Sequence, residues 1–329
     1  MWRTGLLMLA VLVLGAGAPA ADAQAPARVY RVGFLGQTSA RDLDRQIGAL
    51  RQGLRELGYK EGQNLVLEYR WAERKLDRLP ALAAELVAAK VDVIVTHGSP
   101  GSRAAKRATD EIPIVIAVVG DPVTSGVVAS LAHPGGNATG LVLGELESTV
   151  RSLELVKQLL PAASLLGWLD VPGIEEAQAA AAQRRDEDGA AVSRGLSIHR
   201  VVVRGADDLP AAFEALARRG VHAVVVPNTS LLNPLGGRIA GLAVTHRLPS
   251  IGSPIFGRAG GLLGYGADGA DLYRRAAGYV DKILKGARPG DLPMEGPKKF
   301  ELIVNAKTAR TIGVALPPDI LTRADLVIE

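Results

Sequence analysis

The chain has 329 residues, 48% of them hydrophobic and 22% charged, with a formal net charge of +4 and no cysteine. This is the composition of an ordinary globular protein with a sizeable core, and it excludes a disordered chain or a multi-span membrane protein. Without cysteine there is no disulfide, thiolate nucleophile, cysteine metal site or acylated lipid anchor; the basic residues form no run that would bind nucleic acid.

The first residues read as an export signal. Met1-Trp2-Arg3 is a short positive end, LLMLAVLVLGAGA (residues 6–18) is an apolar stretch too short to span a bilayer comfortably, and Ala21-Asp22-Ala23 is a small-residue cleavage site. Residues 1–23 are therefore expected to be a signal peptide, with Ala18-Pro19-Ala20 as an alternative cut or the uncleaved segment acting as a tether. Cleavage near Ala23 predicts a freely diffusing periplasmic protein.

Beyond that segment, apolar runs alternate with helical periodicity. Tyr30-Arg31-Val32-Gly33-Phe34-Leu35 reads as a strand, and residues 42–57 place Leu43, Ile47, Leu50, Leu54 and Leu57 on one helical face, stopped by Gly58. The strand LVLEYRWA, the helix RLPALAAELVAAK, the strand VDVIVTHG, the helix SPGSRAAKRATD and the strand IPIVIAVVG complete a first series. Strands apolar throughout are covered on both faces, which calls for a parallel, doubly wound sheet.

The turn-rich HPGGNATG (133–140) closes this series, and a second one follows. It runs ESTVRSLELVKQLLP, LLGWLD, the polar-faced EEAQAAAAQRRDEDGAAVSRG, SIHRVVVR, DLPAAFEALARRG, AVVVPN, LGGRIAGLAVTHR and PSIGSP. After Gly260-Gly261 come LLGYG, the helix DLYRRAAGYVDKILKG and the tail FELIVNAKTARTIGVALP. The economical assembly is two Rossmann-like α/β lobes joined by three crossing strands. Residues 28–143 plus 261–288 make lobe I, so that LLGYG and its helix return there, and residues 144–260 plus 298–329 make lobe II.

Ligands of such sheets sit beyond the carboxyl ends of the strands, near helix starts. The corner Gly98-Ser99-Pro100-Gly101-Ser102 lies at one such end. Its free backbone N–H groups and hydroxyls suit a carboxylate or another polar group, although Ser99 also fits a plain helix cap with Pro100 in the first turn.

Other chemistry finds less support in the sequence. Gly264-Tyr265-Gly266-Ala267-Asp268-Gly269 has the GxGxxG spacing, yet no following strand carries the acid that a dinucleotide site requires. His97, His133, His199, His222 and His246 show no metal-ligand spacing; His97 stands as a ligand donor, a general base or a strand-end side chain bonded to backbone. No phosphate loop and no nucleophile motif is present, so the reading includes no catalytic residue, no metal and no cofactor.

Five stretches carry a resemblance: ALRQGLRELGYKEGQNLVLEYRWAE, THGSP, IPIVIAVVGDPV with GDPVTSGVVASLAHPGGNATG, and DLPMEGPKKFELIVNAKTARTIGVALPPDIL. From Val29 to Glu329 the chain resembles the substrate-binding proteins of bacterial ABC transporters, in the group of tryptophan/tyrosine-type uptake receptors. The resemblance implies a periplasmic-binding-protein fold of the first type, a small-molecule ligand, permease subunits as membrane partners, no nucleic acid and a monomer. Carried over residue by residue, it implies a cleft lined by Gln37, Gly98, Ser99, Asp121, Asn228, Thr229 and Tyr265, to which the corner itself adds the hydroxyl of Ser102. Four have a local alternative: a loop residue for Gln37, a turn carboxylate for Asp121, an Asx turn for Asn228 and core burial for Tyr265. The segment Leu169–Glu176 departs from the asparagine- and serine-bearing segment of amino-acid-binding relatives, and Asp170 or Glu175 stands in for it. A sensor's ligand-binding domain and an exported Rossmann-like enzyme are the competing functions.

Overall fold

The computed structural model describes residues 28–172, 177–229 and 231–329. The expected signal segment, and Glu175 with its neighbours at 173–176, lie outside the described residues.

The first sheet is built from β1 (Tyr30–Gly36), β2 (Leu65–Trp71), β3 (Val93–His97), β4 (Ile114–Val119) and β5 (Ala138–Val142). They run in the order β2-β1-β3-β4-β5, all parallel. Helices α1 (Asp44–Glu56), α2 (Leu79–Ala88) and α3 (Gly98–Ala108) make the crossovers. The unbroken apolar strands are explained by two cores. Val93, Val95, Val115 and Ala117 face one with Leu50 and Leu54 of α1, whereas Ile94, Ile114 and Ile116 face the other with Leu82 and Leu86 of α2. Period-two alternation puts successive side chains on opposite faces, and both faces are covered here.

The second lobe holds α4 (Glu145–Leu159), β6 (Leu165–Asp170), α5 (Ala177–Val192), β7 (Ser197–Val202), α6 (Leu209–Arg219), β8 (Ala223–Val226), α7 (Gly236–Thr245), β9 (Ser250–Gly252) and α8 (Pro254–Arg258). Then come β10 (Leu263–Ala267), α9 (Gly269–Leu284), β11 (Phe300–Asn305), α10 (Ala306–Ile312), α11 (Pro318–Thr322) and β12 (Leu326–Ile328). Its sheet runs β12-β11-β10-β9-β8-β6-β7, with β10 and β11 antiparallel and the other neighbours parallel. Two separate cores cover its faces. The architecture is two doubly wound α/β lobes.

One placement is corrected. The strand within LLGYG, expected in the first lobe, is β10, and it is hydrogen-bonded between β9 and β11 of the second sheet. The cause lies in its glycines. A Cβ on Gly264 would stand 2.9 Å from the Cα of Gly257 and 2.9 Å from the Ser253 carbonyl, so the bare backbone of β10 is what lets α8 lie directly on it. The following helix α9 does pack in the first lobe, against α1, where a Cβ on Gly53 would meet the Arg274 carbonyl at 2.6 Å. Tyr59 ties this pair by donating its hydroxyl to Asp281 at 3.0 Å.

The chain therefore passes between lobes three times: between β5 and α4, between β10 and α9, and in the segment leading to β11. These segments bond one another. Val142 N–H donates to the Glu295 carbonyl at 3.0 Å, Glu295 N–H to Gly140 at 3.2 Å, and Asp268 N–H to Lys299 at 3.0 Å.

Candidate functional site

The mouth of the first sheet is organised by the corner after β3. Gly98 opens α3 at φ +63°, a conformation glycine enters freely, and a Cβ there would lie 2.3 Å from the side-chain nitrogen of Gln37. That contact locates Gln37: it is buried, its backbone N–H donates to Nε2 of His97 at 3.1 Å, and its side-chain amide donates to the His97 carbonyl. Gln37 thus fastens the ends of β1 and β3 and does not line the cavity described below. His97 is a strand-end histidine bonded to backbone.

Desolvation against the stacked Phe34 ring (centroids 6.1 Å apart) pulls the His97 imidazole down to about 4 from its usual 6.5. A histidine depressed in the folded state binds fewer protons there than in the unfolded chain. Its contribution is therefore complete above pH 6.5 and is lost as pH falls from 6.5 toward 4, at most about 3 kcal/mol in all. Urea midpoints measured from pH 7 to pH 4 should fall more steeply for the wild-type chain than for His97→Gln; equal slopes would remove His97 from the account.

Between the lobes lies a cavity of about 410 Å³. The first lobe contributes Ser99 and Arg103 of α3 and the loop Gly120–Ser125 after β4; the second contributes the start of α4 and Gln183, Asp186 and Glu187 of α5. Ser99 lies in the first turn of α3, whose start has no side-chain cap, so its hydroxyl is not consumed in the role that was its alternative. Arg103 is one turn further along the same helix, partly buried, and makes no ion pair among the described residues. The free N–H groups of a helix start and a guanidinium on the same face make a cradle for a carboxylate.

The opposite wall is acidic. Glu145 and Glu147 stand in the first turn of α4, and Asp186 and Glu187 project from α5. Burial pushes the Glu187 carboxyl above its ordinary range, against the hydrogen bond from Arg200 at 2.7 Å that draws it down. Apolar contact comes from Pro122, Val123, Leu131, Val142 and Leu146, and no aromatic ring lines the cavity among the described residues.

The other expected site residues have different places. Ser102 is buried, its hydroxyl donating to the Gly98 carbonyl at 2.8 Å, so it faces the helix and not the cavity. Asp121 does line the cavity, and its Oδ1 also accepts from the N–H groups of Val123 and Thr124, both at 3.0 Å, which shapes the loop that forms the wall. Asp170 ends β6 in an ion pair with Arg184 at 2.7 Å and thereby holds α5 over the sheet. Asn228 accepts from the Asn233 side chain at 2.8 Å, and the Thr229 hydroxyl accepts from Leu232 N–H at 3.1 Å; these close their own loop, and neither lines the cavity. Tyr265 stacks on Phe300, centroids 5.8 Å apart, beside a second cavity of about 190 Å³ that it shares with Arg151 and Arg323. The expected meeting of Gly98-Ser99 with Asn228 is thus replaced by a meeting of Ser99 and Arg103 with α4 and α5. Arg103 had a legible signal, a cation one helical turn after Ser99; α5 had none, because its polar face resembles any solvated helix.

The model of a family described as ABC transporter substrate binding protein matches residues 32–328. A relative named tyrosine-binding protein, from Clostridioides difficile (strain R20291), is 27% identical over 275 residues, 82% of this chain and 77% of its own length. A conserved domain protein from Vibrio cholerae superposes with a TM-score of 0.82 at 26% identity, covering 91% of this chain and all of that one. An ABC domain from Streptococcus pneumoniae in complex with L-Trp superposes with the same score and coverage at 24% identity. The two α/β lobes are those of the periplasmic-binding-protein fold.

Proposed function

Because the chain belongs to the ABC transporter substrate-binding protein family, we propose that it is the extracytoplasmic receptor of an importer. In this reading it closes its lobes on a small, carboxylate-bearing, amino-acid-like molecule and hands it to permease subunits. The observation that carries the ligand class is Arg103, a guanidinium with no acidic partner among the described residues, beside the open first turn of α3. The carboxylate seats on Ser99 and Arg103, and the ligand's amino group faces the acids of α4 and α5. Tyrosine and tryptophan, named for two relatives, support an amino-acid skeleton. Export follows from the N-terminal segment, with cleavage near Ala23 and release into the periplasm as a monomer. The chain binds and releases its ligand unchanged.

A thermal-shift panel of amino acids, small carboxylates, nucleosides and sugars tests the reading. A ligand that binds only the folded chain stabilises it by about 2.7 kcal/mol at a hundredfold excess over Kd, a shift of several degrees. The expected hits carry a carboxylate; stabilisation by neutral sugars alone would contradict the assignment.

A further inference from the structure

The lobes meet at a second place, outside the cavity. Arg45, on α1 of the first lobe, sends Nη2 to Oε1 of Glu301 at 2.6 Å and Nη1 to Oε2 at 3.4 Å. Glu301 lies on β11 of the second lobe with its side chain only 12% exposed. Its Oε2 also accepts from Arg258 of α8 at 3.0 Å. Arg45 Nη2 reaches Asp268 as well, at 3.1 Å, and Asp268 caps α9 where the chain crosses between lobes, accepting from Ala270 N–H at 2.9 Å. Two cations and two anions are balanced in one network that joins α1, α8, β11 and the start of α9 on both sides of the hinge.

We propose that Arg45, Glu301 and Arg258 form an ionic latch that sets the angle between the lobes and so the population of the closed form. The proposal rests on the two-lobed receptor reading, but on no particular ligand. Three properties support a latch over an incidental surface pair. Guanidinium and carboxylate meet as a planar fork, so the pairing tolerates only a narrow range of lobe angles. Glu301 is largely removed from water, where an ion pair is screened less than at an exposed site. The carboxylate is shared by one arginine from each lobe, so rotation of α1 away from β11 leaves it half-satisfied. By contrast the nearby contact of Lys299 with Asp271 is 3.7 Å long, with the lysine 65% exposed, and restrains little.

The absence of cysteine makes the test direct. Spin labels are attached at cysteines introduced for Arg107 on α3 and Arg218 on α6, both exposed. Pulsed electron resonance then reads the interlobe distance in the mature, ligand-free chain. The labelled background should give one narrow distribution in dilute buffer. Arg45→Ala and Glu301→Gln should each broaden it and move it to longer distances. Arg45→Lys, which keeps the charge but gives up the fork, should fall between. Arg45 is half exposed, so its alanine variant is expected to fold even where Glu301→Gln does not. Distributions that coincide for the background and folded Arg45→Ala would overturn the latch while leaving the receptor reading intact, because the thermal-shift panel decides that reading separately.

Discussion

Arg103→Ala is expected to lose about 2 kcal/mol of binding energy for the best carboxylate of the panel, roughly a 30-fold rise in Kd. The ligand-free melting temperature should hardly change. Both parts follow from the same fact: the guanidinium lines the cavity and makes no ion pair among the described residues, so its removal breaks little in the empty protein. Hydrogen bonds to a charged partner contribute more than neutral ones, and Arg103 is the cation on the α3 side of the cavity. Arg103→Lys should lose less, since it keeps the charge and gives up only the two-pronged geometry. Isothermal titration with the panel's strongest stabiliser measures the two affinities, and a thermal melt without ligand measures the stability. An alanine variant that binds as tightly as the wild type would place the carboxylate elsewhere.

Gly140→Ala should destabilise the chain by more than about 3 kcal/mol, the range reserved for substitutions that force backbone apart. Gly140 has φ +144°, and a Cβ there would stand 2.0 Å from the carbonyl oxygen of Ile116 and 2.7 Å from its nitrogen. No rotamer relieves a clash with main chain. The residue pairs with Ile116 in the first sheet and accepts from Glu295 N–H, so the damage reaches the crossing segment as well. Gly278→Ala is the control. It lies inside α9 with nothing within 4 Å of the added carbon, and it should stabilise by about 0.5–1 kcal/mol because alanine costs less conformational entropy in a helix. Urea unfolding midpoints of the two variants should move in opposite directions; a Gly140→Ala midpoint at the wild-type value would contradict the packing described for β4 and β5.

How far the residues themselves announce this architecture depends on the kind of information each carries. Apolar runs such as IPIVIAVVG declare burial on both faces, and the structure explains why: Ile114 and Ile116 enter one core while Val115 and Ala117 enter the other. Two α/β lobes with crossings between them follow from that pattern. Periodicity does not say which sheet receives a short strand. LLGYG could serve either, and its glycines decided the matter through close contact with α8, a tertiary fit with no local signature.

The site follows the same division. A glycine-framed corner at a strand end is visible in VDVIVTHGSPGSRAAK, and Ser99 does face the cavity. Ser102, Asn228 and Thr229 have the right chemistry at strand or helix ends, but their hydrogen bonds close on neighbours in the same loop or turn. Residue type reports what a side chain is able to bind; only the fold reports whether that capacity is already used. Arg103 of α3 and Asp186 of α5 are the converse case, ordinary helical residues until the fold brings α5 across from α3.

A crystal structure of the mature chain with the panel's strongest stabiliser tests the central claim most directly. The molecule should lie between the lobes, its carboxylate within hydrogen-bond distance of Arg103 and Ser99 and its amino group toward the acids of α4 and α5. A molecule seated outside this cavity, or one whose carboxylate points away from α3, would contradict that claim.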